Sequence, residues 1–245
     1  MPCIFLSPST QHWNLYVNGG NERHYMNLIA DRMEPYLFSS GIFFSRNNPN
    51  LDFRAAIIAS NAGNYDVHFS IHSNAAGAGR EGQVRGSEFY YDPNCAPSRR
   101  LATICVNNMK YIYPIPERVR IVPTTTLGEV VNTRAVAVLC EVAYHDNWED
   151  AEWIKNNLTS IAIVLVRALC DYFGILFRDA PPVSYGIVTT GGSNLNIRQR
   201  PSVSARLLGV IPNGASVRII GRVGNWFAVR FNNISGFASA DFIRV

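Results

Sequence analysis

Phe69-Ser70-Ile71-His72-Ser73-Asn74-Ala75 is the stretch on which the reading of this chain turns. Val67, Phe69 and Ile71 alternate with polar residues, which is the period of a strand. The run ends in a histidine and opens into the glycine-rich segment 75–82. Open α/β sheets bind ligands beyond the carboxyl ends of their strands, so His72 is a candidate site residue. Taken alone, it is matched by an ordinary alternative: a histidine hydrogen-bonded at a strand end.

Strands and helices alternate on both sides of this stretch. Residues 4–6 predict a first strand, followed by a long loop through Gly19-Gly20. Asn21 is positioned to cap a helix opening at Glu22, whose apolar face is Met26, Ile29, Ala30, Met33 and Leu37. Pro35, with no amide hydrogen, is expected to kink or fray its last turn. A strand at 41–46 and a helix at 52–62 precede the central strand, and a strand at 86–91 and a helix at 98–111 follow it. Segments 119–122 and 127–131 read as short extended pieces. Residues 135–142 form a nearly continuous apolar run, as for a strand buried on both faces, and it ends at one charge, Glu141. A long helix over 148–173 closes the unit. This pattern predicts a layered α/β/α domain with a mostly parallel twisted sheet.

Asp179-Ala180-Pro181-Pro182 breaks the pattern, and beyond it short β-branched runs are punctuated by Gly, Asn and Pro. Five such runs in about 60 residues suggest a small all-β barrel. The organisation read from the sequence is therefore a domain over 1–178, a Pro-rich linker over 179–185 and a second domain over 186–245.

Composition narrows the class. The 245 residues are 47% hydrophobic and carry a net charge of +4. From Tyr185 onward seven arginines face one aspartate, Asp241, so the tail module holds a surplus of six positive charges and the body is slightly acidic. Such a module suits an anionic polymer, but without lysine and with scattered arginines it does not read as a nucleic-acid binder. No apolar run reaches the roughly 18 residues of a membrane span. The N-terminus has neither the basic start nor the apolar core of a signal peptide, which points to synthesis in the cytoplasm. Five dispersed cysteines, with no CxxC pair, suggest neither a disulfide framework nor a cysteine zinc site.

Four ligand-type residues fall at strand ends or at the start of a helix: His12, Glu22, His72 and Glu141. Strand C-termini and helix N-termini open on one edge of a parallel sheet, so these residues can converge. Two histidines and a carboxylate with an open fourth position make a common catalytic zinc set. A further carboxylate then serves as general base. There is no GxSxG elbow.

With those residues in view, the first domain resembles the zinc-dependent N-acetylmuramoyl-L-alanine amidases. The resemblance rests on Asn21-Glu22, on Ser70-Ile71-His72-Ser73-Asn74-Ala75, on Leu139-Cys140-Glu141-Val142-Ala143-Tyr144, and on Asn147 with Glu149-Asp150. It implies a zinc ion (Zn2+) held by His12, Glu22 and His72, with Glu141 as the catalytic base and Asn74 and Arg134 as substrate contacts. The loop after the first strand departs from the family pattern Asp-Pro-Gly-His-Gly-Gly: here it reads Ser7-Pro8-Ser9-Thr10-Gln11-His12. Thr10 stands in the usual histidine's place if the loop has no insertion, His12 is a ligand only in a reshaped loop, and Gln11 is the weaker oxygen-donor substitute. The tail resembles bacterial SH3-like domains through Leu195-Asn196-Ile197-Arg198-Gln199-Arg200-Pro201-Ser202, Asn225-Trp226-Phe227-Ala228-Val229-Arg230 and Gly236-Phe237-Ala238. Together these imply a peptidoglycan amidase whose partner, through both domains, is the bacterial cell wall. The alternatives are a metal-free wall-binding protein on the same fold and a zinc carboxypeptidase acting on the same polymer. His24, His68, His145 and Glu129 read as ordinary surface, sheet-face or loop residues.

Overall fold

Alternation along the central strand sets the architecture. The computed structural model describes residues 1–180 and 182–245; Pro181, within the expected linker, lies outside them. Six strands form the first sheet: β1 (Cys3–Pro8), β2 (Phe43–Arg46), β3 (Val67–Asn74), β4 (Ser87–Tyr91), β5 (Val119–Pro123) and β6 (Val136–Tyr144), in the order β2-β1-β3-β6-β4-β5. β1, β2, β3 and β6 run parallel, β4 runs against β6, and β5 lies parallel to β4. Six helices accompany them: α1 (Glu22–Ser39), α2 (Phe53–Ala62), α3 (Ala96–Met109), α4 (Gly128–Val131), α5 (Trp148–Asn156) and α6 (Leu158–Phe173).

Val67, Phe69 and Ile71 enter one buried cluster with Met26, Ile29, Leu101, Leu165 and Leu169, so α1, α3 and α6 cover that face of the sheet. Each such side chain contributes about 1.5–3 kcal/mol by leaving water. With a period of two, His68, Ser70 and His72 must then project from the opposite face. That face is covered by α4, against which α2 packs.

Three elements differ from the sequence reading, each for a local reason. Residues 127–131 form a helical turn rather than an extended piece. Thr124 Oγ1 accepts from the amides of Thr126 and Leu127, and the Leu127 carbonyl accepts from Val130 and Val131. The expected single helix over 148–173 is two, α5 and α6, bent by 78°. At the break, Asn157 Nδ2 donates to the Trp153 carbonyl, so a side chain competes with the backbone ladder. Helix α1 continues past Pro35 to Ser39. Proline cannot donate to the carbonyl four residues back, that of Asp31; Arg218 Nη2 of the second domain donates to it instead, at 3.2 Å.

The second sheet has seven strands: β7 (Ser184–Val188), β8 (Leu195–Arg198), β9 (Leu207–Ile211), β10 (Ser216–Val223), β11 (Trp226–Phe231), β12 (Ile234–Ser239) and β13 (Ile243–Arg244). All its pairings are antiparallel. Val188, Ile197, Val217, Val229 and Ala238 form its own core. β7 takes in Ser184 and Tyr185, which the sequence reading assigned to the linker.

The two domains share a buried polar joint. Glu34 of α1, fully buried, accepts from Arg46 at 2.9 Å, from Arg230 at 3.0 Å and from Ser235 at 2.9 Å. Asp31, one turn earlier, pairs with the same two arginines. Beside them Phe237 packs edge-on against Phe43, with ring centroids 5.1 Å apart. Gly221 faces Phe38 so closely that a Cβ there would lie 2.1 Å from the ring. Two of the seven tail arginines, Arg218 and Arg230, are therefore committed to the first domain.

Candidate active site

Strand register assembles the floor of the site. His72 of β3 is the direct neighbour of Glu141 on β6, Glu141 of Glu88 on β4, and Glu88 of Arg120 on β5. Directly paired residues share a face, so these four side chains form one row across the sheet. They lie on the face that His68 and Ser70 also occupy. Above one end of the row opens a cavity of ≈ 480 Å³, lined among others by Thr10, Gln11, His72, Glu129, Leu139 and Glu141.

Glu22 reaches this floor from the first turn of α1. Asn21 caps the helix by accepting from the His24 amide at 2.9 Å, and the helix N-terminus favours an acid here. Glu22 Oε1 lies 2.9 Å from His72 Nδ1, while Asn14 Nδ2 donates to Glu22 Oε2 at 2.6 Å. On the other side of the imidazole, Glu129 Oε2 lies 3.0 Å from Nε2. His72 is thus held between two buried carboxylates. Burial opposes its charge, but hydrogen bonds to Glu129 and Glu22 outweigh that and hold its pKa well above the ordinary value. Burial alone raises Glu22 and Glu129; their bonds to histidine prevail and hold both carboxyls below the usual range.

Glu141 behaves in the opposite way. Its Oε2 is buried with no hydrogen-bond partner. Burial raises its pKa most, the positive His72 pulls it back, and the charges of Glu22, Glu88 and Glu129 raise it again, leaving it at about 8. A carboxyl that titrates near neutrality and faces open volume is suited to accept a proton and return it.

The residues singled out from the sequence divide into two groups. Glu22, His72 and Glu141 come together. Asn74 reaches the edge of the row, where its Nδ2 donates to Glu88 Oε2 at 3.2 Å. His12 does not join them. Its side chain is exposed and packs edge-on against Trp13, ring centroids 5.0 Å apart. The cause is the turn before it: the Ser9 amide extends the strand pairing to Ile71, and Ser9 Oγ then accepts from the Gln11 amide, turning the chain so that Gln11 faces in and His12 out. Gln11 Nε2 lies 3.3 Å from His72 Nδ1. Arg134 is also misplaced as a substrate contact. It precedes β6, a strand's length from Glu141, and its guanidinium and amide bind Asn61.

Four residues that sequence reasoning passed over belong to this region. Glu129 is buried beneath His68 and His72, and Glu88 lies beside Glu141. His68 is buried and stacked on Phe5. His145 is buried against Tyr16 with Nδ1 2.7 Å from the Ser73 carbonyl oxygen. A signal for the first was present: one acid among Leu127-Gly128-Glu129-Val130-Val131, and two histidines four apart on one strand face. Asn147 and Asp150 are structural, the first capping α5 and the second binding Arg85 at 2.9 Å.

The donor set bears on a metal as follows. Glu22 Oε1 and His72 Nδ1 are hydrogen-bonded at 2.9 Å, and both are ligand types that zinc takes. Gln11 stands beside the pair but turns its amide nitrogen to His72, while its oxygen accepts from Asn14 Nδ2 at 3.0 Å. Among the described residues no group of three His, Cys, Asp or Glu side chains has a metal-holding arrangement. The pair supplies two of the three protein ligands of a catalytic zinc site, and the second imidazole is missing from it.

Comparison with known proteins agrees with the fold. Residues 12–170 match the family model described as N-acetylmuramoyl-L-alanine amidase, and residues 193–244 match the bacterial SH3 domain model. The first match begins after the turn that reshapes the site. No curated protein sequence matches the chain. Among solved structures, the amidase AmiC2 of Nostoc punctiforme is 15% identical with a TM-score of 0.62, over 71% of this chain and 97% of that one. An N-acetylmuramoyl-L-alanine amidase from Clostridium difficile 630 is 16% identical with a TM-score of 0.63, over 71% and 97%. The catalytic domain of the CD27L endolysin targeting Clostridia difficile is 20% identical with a TM-score of 0.56, over 69% and 96%.

Proposed function

Because the chain belongs to the N-acetylmuramoyl-L-alanine amidase family, we propose that it hydrolyses the amide between the lactyl group of N-acetylmuramic acid and L-alanine, with Glu141 as general base and Glu22 and His72 as holders of a zinc ion. Family membership carries the class of reaction, amide hydrolysis in peptidoglycan. The observation that supports the residue roles is the adjacency of His72 and Glu141 in register, with Glu22 on the imidazole and open volume above.

In this reading Glu22 and His72 would hold the ion. When bound, the ion polarises the carbonyl and makes water more acidic. Glu141 takes a proton from the attacking water and delivers it to the departing L-alanine nitrogen. Burial and the neighbouring carboxylates hold Glu141 at about 8, and a bound cation would favour its ionised form. Glu129 and Asn14 hold His72 and Glu22 in place. The cavity walls Leu127, Leu139 and Phe53 limit water around the reacting amide. We assign residues 1–178 to catalysis and 186–245 to wall binding, and place the action of the protein at the cell wall.

The test is digestion of purified peptidoglycan with and without a chelator, with zinc restored afterwards. Loss on chelation and recovery on zinc support the reading, whereas unchanged hydrolysis in chelator overturns the metal's part. One observation favours a second reading, a wall-binding protein with no metal: His12 does not complete the site. Absence of zinc from the purified protein, together with no hydrolysis, selects it. A carboxypeptidase is separated by its product, free terminal D-alanine rather than L-alanine amino termini.

A further inference from the structure

We propose that the cavity at the entry of β4 and β5 is a carboxylate-binding subsite, which takes an acidic group of the peptide on the leaving side of the scissile amide. The inference rests on the reading that the chain cleaves that amide beside Glu141.

Because β4 runs against β6, β4 and the parallel β5 begin at the edge of the sheet where β3 and β6 end. The segments leading into them therefore meet beside the site. A cavity of ≈ 350 Å³ opens there, and its lining includes Arg80, Arg85, Arg118 and Arg120. The first domain is slightly acidic as a whole, so this concentration of cations is local. Arg85 Nε donates to the buried Asp150 at 2.9 Å, and Arg120 Nε donates to Glu88 Oε1 at 3.0 Å. Arg80 and Arg118 are exposed and, among the described residues, have no acidic partner. The nearby acids do not fill that place. Glu88 is already bound by Arg120, Tyr90 and Asn74, and Glu81 accepts from the Gly79 amide of its own loop. Glu117 adds a single negative charge to the lining.

Glu88 and Arg120 of this cavity continue the row of His72 and Glu141. Neighbouring strands lie about 4.8 Å apart, so Arg120 stands about 10 Å from Glu141 at the backbone. Extended peptide covers about 3.3–3.6 Å per residue, which brings roughly the first three residues of the leaving peptide over the cavity. The other end of the row differs in chemistry. There the cavity above His72 is lined by Trp13, Phe53 and Leu127, and Trp13 is 61% exposed. An exposed aromatic face suits the C–H face of a sugar ring, whereas the guanidinium fork matches a carboxylate. A substrate with a sugar on one side of the amide and an acidic peptide on the other fits these two ends in one direction only.

Arg80 and Arg118 are exposed, so replacing both (Arg80→Gln with Arg118→Gln) removes charge without disturbing the core. The probe is N-acetylmuramoyl-L-alanyl-D-glutamate with both carboxyls free, with either one amidated, or with both amidated. Each form is titrated into the full-length protein in the presence of a chelator, and equilibrium binding is read by calorimetry. Wild type should bind the free acid about fivefold more tightly than the fully amidated form, the upper end for an exposed charge pair. The double variant should lose that difference. The singly amidated form that loses affinity identifies whether the α- or the γ-carboxyl is held. Equal affinity of wild type for free and amidated forms, no binding of the free acid, or a difference that survives in the double variant overturns the proposal. Release of L-alanine termini from peptidoglycan by the wild type with zinc is read separately. Without it the catalytic reading falls whatever the titration shows, whereas hydrolysis with charge-independent binding removes this inference alone.

Discussion

Replacing Glu141 by glutamine keeps the side chain's shape and removes its capacity to accept a proton. General-base catalysis typically contributes 10²- to 10⁴-fold, so Glu141→Gln is expected to lower the hydrolysis rate by about that factor. The melting temperature should hold or rise, because the variant no longer buries an acid whose Oε2 lacks a partner. A rate within threefold of wild type would remove Glu141 from the mechanism. The two loop residues make an opposed pair. His12 is exposed and packs on Trp13, so His12→Ala should leave zinc affinity within about twofold of wild type in a competition titration against a chromophoric chelator. Gln11 faces His72 Nδ1 at 3.3 Å, so Gln11→His should tighten zinc binding by supplying the missing imidazole. Tightening lost in His12→Ala, with none gained in Gln11→His, would reverse the assignment of the loop.

At the scale of elements, β3 was legible because its signal is a simple period: apolar residues at 67, 69 and 71 entered the core, and that forced His72 to the opposite face. Helix α1 and β6 were legible for similar reasons, through a capping asparagine and a long apolar run. The turn at α4 was not, since four residues are too few to distinguish a helical from an extended period, and with it the burial of Glu129 went unseen. The loop at residues 7–12 was opaque for another reason. Which of Thr10, Gln11 or His12 faces inward is decided by one side-chain hydrogen bond, from the Gln11 amide to Ser9 Oγ. Sequence spacing does not contain that information. The break between α5 and α6 likewise depends on where one asparagine side chain binds.

For the molecule as a whole, the second domain is not free on a linker: it is fixed to α1 and β2 by a buried ion network and two aromatic contacts. The tail's positive charge, read from composition as available to an anionic polymer, is partly consumed in this joint. Glu34→Ala leaves Arg46 and Arg230 without their shared acceptor, and breaking a buried pair in this way costs about 3–5 kcal/mol. The melting temperature should fall accordingly; a change of under 1 °C would show that the joint contributes nothing. Asp31 adds a pH dependence. Burial would raise its carboxyl, but Arg46 and Arg230 together hold it below the ordinary aspartate value of 3.8. A lowered folded pKa gives stability that is full above the unfolded value and is lost as pH falls through the folded one. The melting-temperature gap between wild type and Asp31→Asn should therefore be constant from pH 7 to about 5 and close below the ordinary value. A gap that widens on acidification would contradict this.

The joint and the site meet at α1, whose first turn carries Glu22 and whose later turns carry Asp31 and Glu34. The account stands or falls on the first of these ends. Its most direct test is the appearance of new L-alanine amino termini when purified peptidoglycan is treated with wild-type protein, with Glu141→Gln, and with wild type in chelator. The account predicts L-alanine termini from the zinc-loaded wild type alone. Termini released at the wild-type rate by Glu141→Gln, or by the wild type in chelator, would contradict it.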